Sequence, residues 1–293
     1  MTLTRRELLQ RTPWALALPL LSGLPGSLRA ESISDLSRLE SDITHHFEGL
    51  GYKSLPPLDL ITGDTFNGGL RFDESFEGDY PAGNSMRIQD CVRVDDVSLE
   101  GEAGVLAYFH IFILNQRAAA YQGELFSQLL GYLIDDVGLD AGKLVVVSTD
   151  KFLPYRPQLK KHGISAAQFV ERSEKEARAS GDGSGYFAPK GHPYVSGYDT
   201  ASIHYPMSTA TPASASTYPL KGYLELGEVI LTDTSTQPIP AESGGLGLER
   251  VLMAAGKSTD DFETSRKRAL TAIQDESARR KVALPSGYPE LVG

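Results

Sequence analysis

The amino-acid sequence predicts an α+β fold built on one large mixed or antiparallel sheet that is flanked by helices. Several segments are apolar, or alternate apolar and polar residues, over the length of a strand, and amphipathic segments with helical spacing come before, between and after them. Two strand segments, 86–94 and 105–114, are joined by a polar connection, which is typical of an antiparallel hairpin. The glycine patterns of phosphate-binding loops on parallel sheets do not occur in the required context.

The other elements follow in order along the chain. Apolar residues from Ile33 to Leu50 recur at helical spacing and predict a first helix, which Gly51 ends. A short helix near 166–179 is expected to carry Phe169 and Val170. The remaining predicted elements are a short strand at 69–72, a helix at 118–137, strands at 144–148, 201–206 and 223–231, a linker at 208–217 and a closing helix around 260–281.

The N-terminus has the layout of a bacterial twin-arginine export signal. Arg5 and Arg6 precede a moderately apolar run at 14–21, which is too short to span a membrane, and cleavage is expected after Ala30. The alternative is a basic N-terminal helix without a role in export. The sequence therefore predicts export by the twin-arginine translocase to the periplasm or beyond. The predicted parts are 1–30 as the signal, 31–256 as the main domain and 257–293 as a C-terminal helix and tail.

Composition limits the partners and the metal chemistry. The formal net charge is −10, and the predicted signal holds four arginines and one glutamate, so the exported part is more acidic still. An acidic body offers no broad basic surface, so we expect no nucleic-acid partner, and no membrane contact after signal cleavage. Cys91 is the single cysteine, which excludes an intrachain disulfide and a thiolate metal cluster. Six histidines without ligand spacing indicate no metal site.

The most informative segment is 244–254, in which a glycine-rich strand end runs directly into an amphipathic helix. Gly245 and Gly247 let the backbone approach a ligand or a neighbouring strand closely. Arg250 lies one turn into this helix, and its planar guanidinium suits a phosphate or a carboxylate. Arg93, at the end of an apolar strand, is a second candidate of the same kind. The plain alternative for each is an ion-paired surface arginine.

These features resemble the catalytic core of the class II aminoacyl-tRNA synthetases, most closely the alanyl type. The collinear matches cover roughly 39–256 and comprise Phe47-Glu-Gly-Leu-Gly-Tyr, Cys91-Val-Arg, Phe109-His-Ile-Phe, Ile203-His-Tyr, Glu225-Leu-Gly-Glu-Val-Ile and Gly245–Val251. The resemblance implies that Arg93 belongs to motif 2 and contacts the α-phosphate of ATP, and that Arg250 belongs to motif 3. Fixed guanidinium groups stabilise the charge that develops there during adenylate formation.

The resemblance also assigns ligand-binding residues around the two arginines. Glu225, Glu242 or Ser243 would hold the amino end of an amino acid, and Ser243 stands where the alanyl enzymes have an aspartate. His110 is what remains of the paired histidines of that family. The candidate set is Arg93 and Arg250 as catalytic or anion-binding residues, and Glu225, Glu242, Ser243, Gly245, Gly247 and His110 as ligand-binding residues.

Several departures from the family argue against ordinary aminoacylation. The acidic residue that ends motif 2, which helps hold ATP and magnesium, falls on Ile113 or Leu114, and neither side chain can ligate a metal. The chain after Gly256 is too short for the helical tRNA-recognition domain, and no H-x-x-x-H editing motif occurs. We therefore expect that this chain does not charge tRNA.

Three functions are consistent with these observations. The first is an exported synthetase paralogue that binds an amino acid or a related small molecule in the former adenylation cleft. The second is a ligase-type enzyme that activates an amino acid or forms an amide, with ATP and Mg²⁺ as cofactors. The third is a structural or interaction protein with a vestigial cleft. The first requires no cofactor, and a homodimer is compatible with all three.

Overall fold

The computed structural model describes residues 27–69, 83–102, 104–117, 123–187, 198–207, 218–232, 241–258 and 260–292. Arg5, Arg6 and the apolar run of the predicted signal lie outside these residues, as do the predicted linker at 208–217 and the strand at 69–72 apart from its first residue. The first helix is described from Ser27, so it includes the predicted cleavage position after Ala30. Export therefore stays a prediction.

A mixed sheet of nine strands lies at the centre of the described part of the chain. Its strands are β1 (Lys53–Ser54), β4 (Ser85–Val92), β5 (Tyr108–Arg117), β6 (Val145–Ser148), β7 (Phe169–Glu171), β8 (Tyr186–Phe187), β9 (Tyr198–Pro206), β10 (Tyr223–Thr232) and β11 (Ala241–Gly247). The order is β1-β4-β5-β11-β10-β9-β6-β7, and β8 pairs with β9. The β1–β4 and β6–β7 pairs are parallel and the others are antiparallel. A separate hairpin joins β2 (Ile61–Thr62) and β3 (Thr65–Phe66).

Helices flank this sheet, which confirms the predicted α+β class. They are α1 (Ser27–Gly49), α2 (Glu124–Gly131), α3 (Arg156–Lys161), α4 (Glu174–Ser180), α5 (Leu248–Ala254), α6 (Phe262–Arg280) and α7 (Tyr288–Val292). Three 3-10 turns, Asp95–Leu99, Asp150–Tyr155 and Ala166–Gln168, and one π-helical turn, Tyr132–Asp136, complete the described elements. None of the described helices has both the length and the apolar character that a membrane span requires.

One face of the sheet, which we call the helix face, packs against α1, α2 and α5. Ile43 and Phe47 of α1, Phe112 of β5, Leu129 of α2 and Val251 of α5 belong to a single buried cluster there. The rings of Phe47 and Phe112 lie 5.1 Å apart. Each such side chain contributes about 1.5–3 kcal/mol on burial, so this cluster is the main source of stability.

The C-terminal helices pack on the main domain beside β5. The Ser265 hydroxyl of α6 accepts a hydrogen bond from the Ala107 N–H at 2.9 Å. The Glu276 carboxylate accepts from the backbone N–H groups of Leu60 at 3.0 Å and Ile61 at 2.8 Å. A carboxylate on α6 therefore fixes the chain at the start of the β2–β3 hairpin.

Two predicted helices differ from the observed elements. Phe169 and Val170 lie on strand β7, so the prediction of one helix over 166–179 was wrong. The physical reason is tertiary, because β7 pairs parallel with β6 and Val170 packs against Val145 and Val147. Residues 118–122 of the helix predicted at 118–137 lie outside the described residues, and the described helix, which begins at Glu124, ends in a π-helical turn.

The opposite face of the sheet, which we call the cleft face, carries the side chains that alternate with the core residues. Gly244 fixes the phase of β11, because a Cβ at this position would point at Leu125 and Leu129 of α2 on the helix face. Successive strand residues point to opposite faces. Ser243, Gly245 and Gly247 therefore face the cleft.

Candidate ligand-binding site

The cleft face brings the two predicted arginines together over one aromatic ring. Arg93 follows β4, and Arg250 points back from the first turns of α5. Their Cζ atoms lie 5.9 Å and 5.1 Å from the centroid of the Phe109 ring. A Cβ added to Gly247 would lie 3.4 Å from both Phe109 and Arg250, so glycine leaves the room that this stacking uses. The ring thus holds two guanidinium groups in fixed positions.

Both arginines keep unused hydrogen-bond donors. The Nε atoms of Arg93 and Arg250 are buried and have no hydrogen-bond partner in the part of the chain that the structure describes. Arg250 Nη1 donates to the backbone oxygen of Glu225 at 3.4 Å, which is a long bond. The Arg93 guanidinium lies against the thiol of Cys91, which is fully buried. Buried guanidinium donors that lack a partner are suited to bind an anion.

Acidic side chains stand beside the arginine pair. Burial and the charge of Glu225 raise the pKa of Glu228 to about 8, although Arg93 and Arg250 oppose the rise. Burial also raises the pKa of Asp96, on the 3-10 turn after β4, against the same two arginines. Glu225 and Glu228 retain some exposure, so a solute can reach them. At neutral pH Glu228 is mostly protonated.

A strand irregularity places the two glutamates on one face. In a regular strand, residues three apart point to opposite faces. The register between β10 and β9 shifts between Glu225 and Gly227, which inserts one residue and reverses the phase. Gly227 also packs against the backbone of Gly245 so closely that a side chain cannot be accommodated. This bulge is why Glu228 was absent from the predicted residues.

His204 is a neutral polar group at the same end of the cleft. It lies opposite Glu225 on the neighbouring strand β9. Burial lowers the pKa of His204, with Arg250 adding to the effect and Glu225 opposing it. Its Nε2 atom is buried and finds no hydrogen-bond partner within the described ranges. His204 therefore adds one hydrogen-bonding atom that a ligand can use.

The structure does not bring two of the predicted residues, Glu242 and His110, to the cleft. Glu242 Oε1 accepts from the Gly123 N–H at 2.7 Å, at the start of α2 on the helix face. The His110 ring places Nδ1 2.8 Å from Glu249 Oε1 and Nε2 3.4 Å from Asp90 Oδ1. His110 is adjacent to Phe109 in β5 and Glu242 is adjacent to Ser243 in β11, so both side chains point to the helix face. The alternation of side chains along a strand could have shown this from the sequence.

Ser243, Gly245, Gly247 and Glu225 do lie on the cleft face with the two arginines. Ser243 Oγ donates to Asn115 Oδ1 at 3.3 Å. Phe109, Glu228, Asp96 and Asn115 complete the site and were not among the predicted residues. Phe109 lies within a largely apolar strand segment, 105–114, so its role became visible only when the arginines were placed over it.

No set of metal ligands is formed by the described residues. No group of three or more His, Cys, Asp or Glu side chains there is arranged to hold a metal ion. Ile113 faces the cleft and Leu114 belongs to the core of the helix face, and both are fully buried. Neither supplies an oxygen ligand for Mg²⁺.

Comparisons with known proteins give similarities among solved structures. No protein-family model matches the chain, and no curated protein matches it. The apo histidyl-tRNA synthetase of S. aureus is similar, with a TM-score of 0.43 and 12% identity over 92% of this chain and 82% of that chain. The pyrrolysyl-tRNA synthetase from Desulfitobacterium hafniense has a TM-score of 0.41 and 13% identity over 74% of this chain and 68% of that chain. The aspartyl tRNA synthetase from Entamoeba histolytica has a TM-score of 0.41 and 10% identity over 86% of this chain and 63% of that chain. All three are class II aminoacyl-tRNA synthetases.

Proposed function

We propose that the cleft face binds a small zwitterion of the amino-acid class. The guanidinium groups of Arg93 and Arg250 bind its carboxylate, and the carboxyl groups of Glu225 and Glu228 bind its ammonium. The observation that carries the proposal is the pair of arginines stacked on Phe109 with buried, unpartnered Nε atoms. Groups of both signs lie on one face of the sheet, which complements a ligand that carries both charges.

We favour binding over ATP-dependent activation because Ile113 and Leu114 carry no carboxylate, although the resemblance places there the acidic residue that helps hold ATP and magnesium. ATP and Mg²⁺ belong to the second candidate, an amino-acid activating or amide-forming ligase.

The proposal includes the setting of the protein. In this proposal the twin-arginine translocase exports the protein to the periplasm or to the outside of the cell. The protein has no nucleic-acid partner. The net charge of −10 supports the last point, because an acidic surface repels a polyanion. The former adenylation cleft of a synthetase paralogue is the proposed origin of the site, on the strength of the sequence motifs around Arg93 and Arg250.

Calorimetry of the full chain with L-alanine, L-alaninamide and N-acetyl-L-alanine tests the binding proposal. L-Alanine is expected to bind, and both derivatives to bind about tenfold or more weakly, because each lacks one charged group. Arg93→Met and Arg250→Met are each expected to weaken binding about 10- to 100-fold, since a charged hydrogen bond is lost. Arg156→Met is the matched control, because Arg156 also stacks on an aromatic ring, that of Phe169 at 5.1 Å, but stands outside the cleft.

The result that contradicts the proposal is an absence of binding, or binding that both cleft variants leave unchanged. ATP–pyrophosphate exchange in the presence of an amino acid would establish the second candidate instead. Because Glu228 is mostly protonated when the site is empty, uptake of an ammonium group should release a proton. Heats measured at pH 7 in buffers of different ionisation enthalpy should therefore differ.

A further inference from the structure

A row of neutral polar side chains crosses the cleft face beyond Glu228. Ser85 of β4 is the cross-strand partner of Asn115 of β5, and Asn115 is the partner of Ser243 of β11. All three side chains are buried, with 1%, 0% and 3% of their surface exposed. Three adjacent strands thus place hydroxyl and amide groups side by side in the interior.

Two atoms of this row lack the hydrogen bonds that burial demands. Ser85 Oγ and Asn115 Nδ2 have no hydrogen-bond partner among the described residues, although Ser243 Oγ donates to the other end of the Asn115 amide at 3.3 Å. Buried polar atoms in native proteins are nearly always satisfied, and a localised exception calls for a ligand, an ion or a water. Ile230 of β10 separates Ser243 from Thr200 of β9, and the Thr200 hydroxyl is satisfied, since it donates to Gly183 O at 2.6 Å and accepts from Gly185 N at 2.8 Å. The unmet hydrogen bonds are therefore confined to the β4–β5 end.

We propose that Ser85, Asn115 and Ser243 form a second subsite that binds an uncharged hydrogen-bonding group, a primary amide or a hydroxyl, on the side chain of the ligand. This inference rests on the proposed function, in which the charged ends of the ligand are held by the arginine and glutamate side chains. An amide suits the row because Asn115 Nδ2 can only donate, whereas the Ser85 hydroxyl both donates and accepts.

The spacing along β11 fits a ligand of amino-acid length. Gly245 is the cross-strand partner of Glu228, and Ser243 lies two residues further along the same face. Two residues of a strand span about 7 Å, which matches an extended side chain of glutamine length together with one hydrogen bond. Gly245 carries no side chain, so no side chain of β11 stands between the two ends.

The chemistry of the row disfavours a charged side chain. Ser85, Asn115 and Ser243 carry no charge, and a charged group brought among them would lose its hydration, while the next cation along the row, Lys53 opposite Ser85 on β1, is exposed to solvent. Arg87, which lies between Ser85 and Gln89 on β4, already has an interaction partner of its own. The subsite therefore selects a neutral polar side chain against both a charged one and an apolar one.

Calorimetry with three amino acids of similar length tests this selectivity. The full chain is titrated with L-glutamine, L-methionine and L-glutamate, and glutamine is expected to bind at least about tenfold more tightly than either. Asn115→Leu removes the amide at nearly constant volume and should abolish the preference while leaving methionine binding intact. Ser85→Ala is a smaller change that should reduce the preference if Asn115→Leu does not fold. Gln116→Met is the matched control, because this buried amide on the next residue of β5 faces α2, where it donates to Glu124 at 3.4 Å.

Each outcome separates this inference from the proposed function. Arginine-dependent binding without a preference for glutamine, or with a preference that Asn115→Leu and Ser85→Ala both leave unchanged, overturns the subsite alone. If these variants change the melting temperature but not the selectivity, the row holds only a buried water, and this result also overturns the subsite. Absence of binding by all three amino acids overturns the subsite and the binding proposal together. Loss of the glutamine preference in both variants, but not in Gln116→Met, establishes it.

Discussion

The replacement Glu228→Gln tests the electrostatics of the cleft through the stability of the folded chain. Burial and the neighbouring Glu225 raise the pKa of Glu228 from 4.5 to about 8. Because the folded-state pKa lies above the unfolded one, the folded state retains a proton that the unfolded state has lost. Wild-type stability should therefore fall as the pH rises from about 4.5 to about 8, and level off above.

The magnitude follows from the size of the shift. At about 1.4 kcal/mol for each pKa unit, the full shift corresponds to at most about 5 kcal/mol. Glu228 retains some solvent contact, so we expect about 2–3 kcal/mol. Glutamine mimics the protonated carboxyl, so Glu228→Gln should match the wild type near pH 5 and exceed it by that amount near pH 9.

Urea denaturation at pH 5, 7 and 9 measures this difference, and ¹³C NMR of the side-chain carboxyl gives the pKa of Glu228 directly. Glu102→Gln, at an exposed position, is the control and should leave the pH profile unchanged. Glu225→Gln should lower the pKa of Glu228, because it removes the neighbouring negative charge. Titration of Glu228 near 4.5, or identical pH profiles for Glu228→Gln and the wild type, would refute the reasoning.

Two further substitutions test the packing and the buried charges around the cleft. Gly227→Ala should destabilise the fold by about 1–3 kcal/mol in urea denaturation, because the added methyl overlaps the Gly245 carbonyl, whereas Gly49→Ala meets open space and should be neutral or stabilising. Burial opposes the charged form of His110, but the hydrogen bond and the charge of Glu249 raise the pKa of His110 overall. The His110–Glu249 pair therefore stabilises the fold at low pH, and this stabilisation is lost as the pH rises through the raised pKa. Glu249→Gln should cost about 3–5 kcal/mol at pH 5.5 and less at pH 8.5, and an equal cost at both would contradict the titration of His110.

Much of the fold followed from local patterns in the sequence. The apolar segments 86–94 and 105–114 with their polar connection predicted the β4–β5 hairpin, and the two antiparallel strands pair from Ser85 to Val92. The apolar spacing after Ile33 predicted α1, whose Ile43 and Phe47 are fully buried. Strand β7 was missed, because three residues are too few for a period and their pairing with β6 is a long-range contact.

The candidate site was predictable in its arginines and not in their surroundings. Arg93 and Arg250 were singled out by residue type and by the motifs that they occupy, and the structure places both over Phe109. Glu242 was preferred as a ligand because it adjoins Ser243 in sequence, yet adjacent strand residues point to opposite faces. Reasoning from proximity in sequence thus selected Glu242, whose side chain points towards α2 and away from the cleft face.

The sequence by itself determined the α+β class, the glycine-rich junction between β11 and α5, and the presence of two arginines suited to anions, because these depend on local periodicity and residue chemistry. Only the tertiary structure decided which side chains share the cleft. The bulge between Glu225 and Gly227 brought Glu228 into it, and the pairing of β4, β5 and β11 aligned Ser85, Asn115 and Ser243. The physical reason is that strand register and phase are set by pairing between distant segments, and a shift of one residue reverses the face that every later side chain meets.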